Sequence, residues 1–399
     1  MANSLLTPTA VTREALRILH QKLNFVGNIK RDYDDSFAKS GAKIGDSLKI
    51  RLPNQYTVRT GATLSAQDTS EISTTLQVAT QKGVDLNFTS VDLTMSLDDF
   101  SKRILDPAMS VLAANIEADA LSMMLDVYQS VNNIGSAITF GKLMSSRKVL
   151  NDALAPMDSN RSILLNTQDN VDLVDGLKGL FQDSAAIKEQ YREGSMGRTG
   201  GFDFYENTLI ANQTTGTSAA ATGYTVNGAV TANGSTAVTL AAGANTFKKG
   251  DVITFVGCNR VHPETKADTG VLQQFVVAAD YAGGAGSLSF APAIYTSGGR
   301  QNVVAAGIAN GVAVAKIGGA SAIYKPSLAF HKDAFAFATA DLVMPQGVDF
   351  ASRQVIDGVS MRIVRQYDIN NDKFPCRLDV LYGYKAIRPT WACRVHADA

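Results

Sequence analysis

"KKGDVITFVG", Lys248 to Gly257, decides how this chain is read. A charged turn leads into alternating side chains, with Val252, Thr254 and Val256 on one face and Ile253 and Phe255 on the other. Apolar residues on both faces suit a strand inside a small packed barrel better than a free edge. The surroundings repeat the theme from Thr214 to Ser321. "TTGTSAAATGYTVNGAVTANGSTAVTL" precedes it, and "LQQFVVAADY" and "GSLSFAPAI" follow, with "AGGAG" as the turn between them. Short alternating runs separated by Gly-rich turns predict a compact all-β module.

The flanks read differently. On the N-terminal side, "GKLMSSRKVLNDALAP" predicts a helix stopped by Pro156, "RSILLN" a short buried strand, "QDNVDLVDGLKGLF" a helix and "GFDFYENTLI" a strand. On the C-terminal side, "KPSLAFHKDAFAFATADLVMP" predicts a helix with Phe330, Ala334, Phe337 and Ala338 on one face and Pro345 as its stop. "VSMRIVRQYD" and "CRLDVLYGYKAIRP" predict strands. An α/β region is thus interrupted by a β module and then resumes, an arrangement tolerated when both ends of the insertion emerge close together.

Nearer the N-terminus, Leu16, Leu19 and Leu23 predict an amphipathic helix between Pro8 and Gly27, read as an arm that packs on something else. Leu48, Ile50 and Leu52 alternate, as do Leu76, Val78, Val84, Leu86 and Phe88. With the polar stretch between them they predict a long β-hairpin, a shape poorly stable alone and without an obvious surface in the same chain. Ser96 and Asp99 resemble a capping box. Asp106 and Pro107 then restart a helix running to Gln129, with Val111, Leu112, Ile116, Ala120, Met123, Met124 and Val127 on its buried face.

The composition bounds the function. The 399 residues are 45% hydrophobic and 19% charged, enough for two or three domains with sizeable cores. Lys plus Arg and Asp plus Glu both number 37, and a net charge of zero argues against a dedicated nucleic-acid binder. Cys258, Cys376 and Cys393 lack metal-site or disulfide spacing and read as buried, reduced thiols. No secretion signal and no membrane-length apolar run are expected. His20, His262, His331 and His396 stand in no catalytic motif. "GSAITFGKL" fails as a phosphate loop, having one residue too many between its glycines and Leu143 where Ser or Thr must stand. "GSMGRTGG" reads as a surface loop. No nucleophile, base and orienting group come together, so the chain reads as a non-enzyme without cofactor or metal.

The order of parts resembles the major capsid proteins of tailed bacteriophages with the Hong-Kong-97 type of fold, and within them the coat proteins of phage P-22 and its relatives. "SLAFHKDAFAFATADL" resembles that family's helix after the insertion, "LDVLYGYKAIRPTWACRV" its C-terminal strand and loop, and "FKKGDVITFVG" a strand of its inserted domain. The resemblance implies an α+β capsid fold with an N-terminal arm (1–43), an extended loop overlapping a neighbour (44–90) and a peripheral domain with a spine helix (91–139). An axial domain follows in two parts (140–213 and 322–375) around an inserted β-barrel (214–321), and the chain closes with peripheral strands (376–399). It implies pentamers and hexamers closing into an icosahedral shell around double-stranded DNA, assembled in the host cytoplasm on a separate scaffolding protein with a portal protein. Arg51, Arg59, Asp68 and Glu71 are candidate intersubunit contacts, and Arg13, Arg17 and Lys22 candidate lumenal contacts to DNA. Two other readings stay open: a β-rich adhesion or carbohydrate-binding protein, and an encapsulin-like compartment.

Overall fold

The computed structural model describes residues 8–31, 47–64, 66–67, 71–88, 101–177, 197–356, 358–369 and 373–397. The Ser96–Asp99 capping box, Asp68 and the start of the "GSMGRTGG" loop lie outside them. Two units result: Met1–Arg51, Ser73–Leu121 and Phe335–Ile387 form one, and Leu52–Ile72, Ser122–Ala334 and Arg388–Ala399 the other.

The first unit is built on the 13-residue strand Phe374–Ala386. Its neighbours, all antiparallel, are Phe335–Ala340, Val359–Arg365 and Thr80–Phe88, and Phe350–Ile356 pairs with Val359–Arg365. Thr80–Phe88 was expected in a hairpin without a partner in the chain. It instead takes its register from this sheet, Val84 opposite Leu378 and Leu86 opposite Cys376. The hairpin proper is shorter, Ser47–Leu52 paired with Ile72–Gln77.

The helix Pro8–Lys22 buries Ala15, Leu16 and Leu19 completely. It packs on the helix Asp106–Leu121 and on the strands Phe350–Ile356 and Val359–Arg365, so this part of the arm covers its own unit rather than something else. Glu117, itself buried, accepts the backbone N–H groups of Phe25 and, at 3.2 Å, Val26. These N–H groups belong to the first turn of the short helix Phe25–Asn28, where a carboxylate is favoured.

The long helix also departs from expectation. Asp106–Pro107 does not restart it: Ser101–Leu105 is a π-helical turn continuous with the α-helix Asp106–Leu121, which tightens into a 3-10 turn over Ser122–Asp126. Pro107 has no N–H to donate, and a widened turn just before a proline accommodates both that loss and the ring. Leu112, Ile116, Ala120, Met123 and Met124 are buried as expected, but Val111 is 59% exposed. The run Arg103–Asp126 is long and apolar enough to cross a membrane by length and composition, against the expectation that no such run exists. More than half of its most apolar window, 56%, is buried inside the protein, as in a core helix.

The second unit has a six-stranded sheet in the order Ser130–Asn133, Ala392–Ala397, Ser327–His331, Arg161–Leu165, Phe202–Glu206, Arg198–Thr199. Thr139 caps the helix Phe140–Asp152 by accepting the Lys142 N–H, and Leu143 and Leu150 of that helix join Ile163, Phe202, Ala329 and Val395 in one core. The stretch expected as a helix after the insertion is not one. Ser327–His331 and Phe335–Ala340 are strands joined by a 3-10 turn, and every residue in both strands is buried. Phe330, Ala334 and Ala338 fall at helical spacing, but Phe335 and Phe337 alternate, and a strand covered on both faces shows no polar side to betray its period.

Between Gln213–Thr214 and Ile323–Tyr324, which pair with each other, lies the β segment. Its sheet runs Ser235–Leu240, Gly286–Ile294, Asp268–Val277, Val252–Val261, Ala313–Lys316, Ala221–Thr225. The two edges meet, since Asn227 N–H donates to Thr239 O at 2.8 Å and Ala241 N–H to Thr225 O at 2.9 Å. Inside, the rings of Phe255, Phe275 and Phe290 stack edge to face with centroids 4.9–6.1 Å apart, a favoured aromatic geometry. Of the opening stretch, Ile253 and Phe255 enter this core and Val252 is buried, but Val256 is 57% exposed, so the outward face is only partly covered. A Cβ on Gly216 would collide with the Thr246 carbonyl oxygen. We expect Gly216→Ala to lower stability by roughly 1–3 kcal/mol in denaturant unfolding, the usual cost of forced overpacking.

Candidate assembly surfaces and the joint of the inserted segment

Of the intersubunit candidates, Arg59, Asp68 and Glu71 fall within the loop Leu52–Ile72 and Arg51 directly precedes it. Arg51 and Glu71 are exposed at its two ends, and Arg59 is exposed within it and donates to the Gly61 carbonyl. Gln67 clamps the loop across itself: its Oε1 accepts from Thr57 N–H at 2.9 Å, and its Nε2 donates to Thr57 O at 2.6 Å. A side-chain amide thereby substitutes for a rung of strand pairing. Beyond the clamp, Val58 is 95% and Leu64 83% exposed, with Tyr56 at 54%. The loop was legible as a polar excursion; that its apolar residues stand uncovered was not. Of the lumenal candidates, Arg13 is exposed, and Arg17 pairs with Glu14 at 2.6 Å, which raises the already high pKa of the guanidinium. The Lys22 side chain lies outside the described residues.

A buried polar cluster was missed by sequence reasoning. It sits where the β segment leaves and rejoins the second unit. Arg394, on the last strand and fully buried, donates through Nη1 to Gln213 Oε1 at 2.7 Å and through Nη2 to Gly250 O at 2.9 Å. Gln213 Nε2 donates to the same Gly250 carbonyl at 2.8 Å. Asp251 accepts from Gly216 N–H at 3.1 Å and Lys248 N–H at 3.0 Å. Lys316 donates to Gly216 O at 3.2 Å and Gly319 O at 2.9 Å. His396, two residues beyond Arg394, bridges Ser130 Oγ (2.7 Å) and Gln213 Oε1 (3.3 Å). Gln274 of the segment exchanges two bonds with the Ser130 backbone, at 2.7 and 2.9 Å.

Burial shapes the charges of this joint. It lowers the Arg394 guanidinium to about 10, still charged at neutral pH, and lowers Lys316 as well. It drives His396 down to about 3, with Arg394 adding repulsion, so the imidazole is neutral. A neutral ring with Nε2–H donating to Gln213 and Nδ1 accepting from Ser130 satisfies both partners. The sequence signal was faint: "WACRVHA" alternates Arg394 and His396 with small apolar residues, which marks a strand but not a strand buried on both faces.

The three cysteines are buried and unpaired, each with its thiol pushed up to about 12 by burial, so none is a ready nucleophile. Among the described residues no group of three or more His, Cys, Asp or Glu side chains forms a metal site. His331 is held by Asp158 at 3.1 Å and meets the Trp391 ring edge-on.

The buried polar chemistry braces the chain internally, while apolar side chains stand uncovered on a loop. A family profile described as "P22 coat protein - gene protein 5" matches residues 9–393. The chain belongs to that family and is a major capsid protein of a phage head shell. No curated protein matches it. Among solved structures, that of Mycobacterium phage Che8 is 14% identical, covering 94% of this chain and 90% of the other, with a TM-score of 0.48. The capsid of the cyanophage P-SCSP1u is 11% identical over 90% and 84%, with a TM-score of 0.43. The mature capsid of bacteriophage PhiM1 is 10% identical over 92% and 90%, with a TM-score of 0.40. The family match, not these distant likenesses, carries the assignment.

Proposed function

We propose that the chain assembles as pentamers and hexamers into an icosahedral shell of the Hong-Kong-97 type, with residues 214–321 acting as an inserted β-barrel domain. The family match over residues 9–393 carries this reading. Support for a loop-over-neighbour contact comes from Val58 and Leu64, apolar side chains that water meets in the lone subunit and that association removes from it. Arg51, Arg59, Asp68 and Glu71 are the charged candidates at that contact. On this reading the shell forms in the host cytoplasm around a separate scaffolding protein, with a portal protein at one position. It then holds double-stranded DNA without sequence preference. Arg13, Arg17 and Lys22 are the candidate DNA contacts, Arg17 weakened in that role by Glu14.

The test is electron microscopy of the purified chain, with scaffolding protein added. Closed shells are expected, and a chain that stays monomeric under every assembly condition refutes the proposal. Val58→Asp with Leu64→Asp should leave the circular dichroism and unfolding midpoint of the subunit unchanged, because both side chains are already in water. Assembled particles should fall at least tenfold by light scattering, the effect of about 1.4 kcal/mol per contact.

A further inference from the structure

Three Asn–Gly pairs occur in the chain, Asn227–Gly228, Asn233–Gly234 and Asn310–Gly311, and all lie in the inserted segment. All six residues are exposed, and the glycines adopt φ of +98°, +86° and +76°, which glycine takes without strain. Asparagine before glycine is prone to self-attack, because the glycine carries no side chain to hinder it. The glycine backbone nitrogen, having given up its proton to water, bonds to the asparagine side-chain carbon. The bond from that carbon to Nδ2 breaks, and ammonia leaves with a proton from water. Water then opens the resulting five-membered imide at either carbonyl, giving aspartate or isoaspartate.

That step needs a free backbone N–H and a peptide plane able to turn. Here each of the three nitrogens is engaged. Gly234 N–H donates to Ile294 O at 2.7 Å and Gly311 N–H to Val226 O at 2.8 Å, both main-chain acceptors. Gly228 N–H donates at 2.7 Å to a side chain, Asn310 Oδ1. A donor bonded in this way holds its proton more tightly and fixes the plane of its peptide. We propose that Asn227–Gly228 is a latent asparagine-modification site kept closed by the side chain of Asn310. Main-chain shields survive any substitution; this one does not. Asn310 is therefore a guard residue for chemistry eighty-odd positions away in sequence, a role independent of how the chain assembles.

Peptide mapping by mass spectrometry tests this on the purified full-length chain, incubated at mildly alkaline pH. Asn310→Ala is expected to speed conversion of Asn227 roughly tenfold, the rate equivalent of one lost hydrogen bond. Asn310→Asp keeps an oxygen acceptor and is expected to leave Asn227 as slow as in the parent chain. Asn233 is the internal reference and should not change in either variant. The proposal is overturned if Asn227 converts no faster in Asn310→Ala, or if Asn233 accelerates in step with it, which signals general loosening. Should Asn310→Ala fail to fold, the parent chain is compared native and in urea: a native rate at Asn227 far below the unfolded one supports the shield, and equal rates refute it.

Discussion

Arg394→Met should cost the folded chain about 3–5 kcal/mol, the penalty for removing one member of a buried charged network. The methionine fills a similar volume, so the loss falls on the bonds to Gln213 and Gly250 and on Asp251, which is fully buried and loses a nearby positive charge. Arg394 Nε and Asp251 Oδ1 already lack a hydrogen-bond partner, so the network has little slack. The measurement is chemical unfolding combined with amide exchange. Exchange should rise first at Gly216, whose N–H is held by Asp251. If the midpoint moves by less than the effect of an ordinary surface substitution, the joint is not the brace described. Adding Asp251→Asn to Arg394→Met should recover part of the loss, since it removes the stranded charge, whereas two independent sites would add their costs.

The second large effect is on pH dependence, and it has two opposed parts. Between about pH 6.5 and 3 the unfolded chain binds a proton at His396 that the folded chain refuses, so stability falls as pH falls through that window. At about 1.4 kcal/mol per unit the full loss is roughly 5 kcal/mol. Asp169 acts the other way. Buried beneath Ser327, whose hydroxyl donates to it, its carboxyl is raised to about 6 from 3.8. The folded chain keeps a proton there that the unfolded chain releases, so stability falls as pH rises from about 4 to 6, by roughly 3 kcal/mol. The two slopes largely cancel across that range in the parent chain. His396→Gln should therefore gain on the parent as pH drops below 6.5, and Asp169→Asn should gain on it as pH rises from about 4 to 6. Urea midpoints measured every half pH unit separate the curves; variants that run parallel to the parent at all pH values contradict the assignment.

What sequence could reveal followed from how much water each element sees. Ser47–Leu52 and the helix Pro8–Lys22 are half-covered, so their polar faces print a period and were read correctly. Arg161–Leu165, buried throughout, was recognised because five residues are too few for a helix. Ser327–His331 and Phe335–Ala340 are buried throughout as well, but their alanines are neutral to either period, and only the long-range partners Arg161–Leu165, Ala392–Ala397 and Phe374–Ala386 make them two strands. The same limit hid the Arg394 joint, whose members come from positions 130, 213, 251, 316 and 394, a set that no local pattern links. Thr80–Phe88 shows the limit from the other side: its alternation was plain, yet its partner lies some three hundred residues on.

The stem formed by Thr214 opposite Ile323 and Gln213 opposite Tyr324 makes the inserted segment a cassette. Its two ends are antiparallel neighbours, about 5 Å apart, so the spacing of the ends sets no limit on how long the material between them is. A foreign domain with similarly spaced ends can be spliced there and displayed once per subunit. The graft must also replace contacts that end spacing alone does not reveal, among them the two Gln274 bonds to Ser130. Gly250 is the socket for the Arg394 guanidinium, and a replacement either offers a carbonyl at that place or is accompanied by a shorter, uncharged residue at position 394.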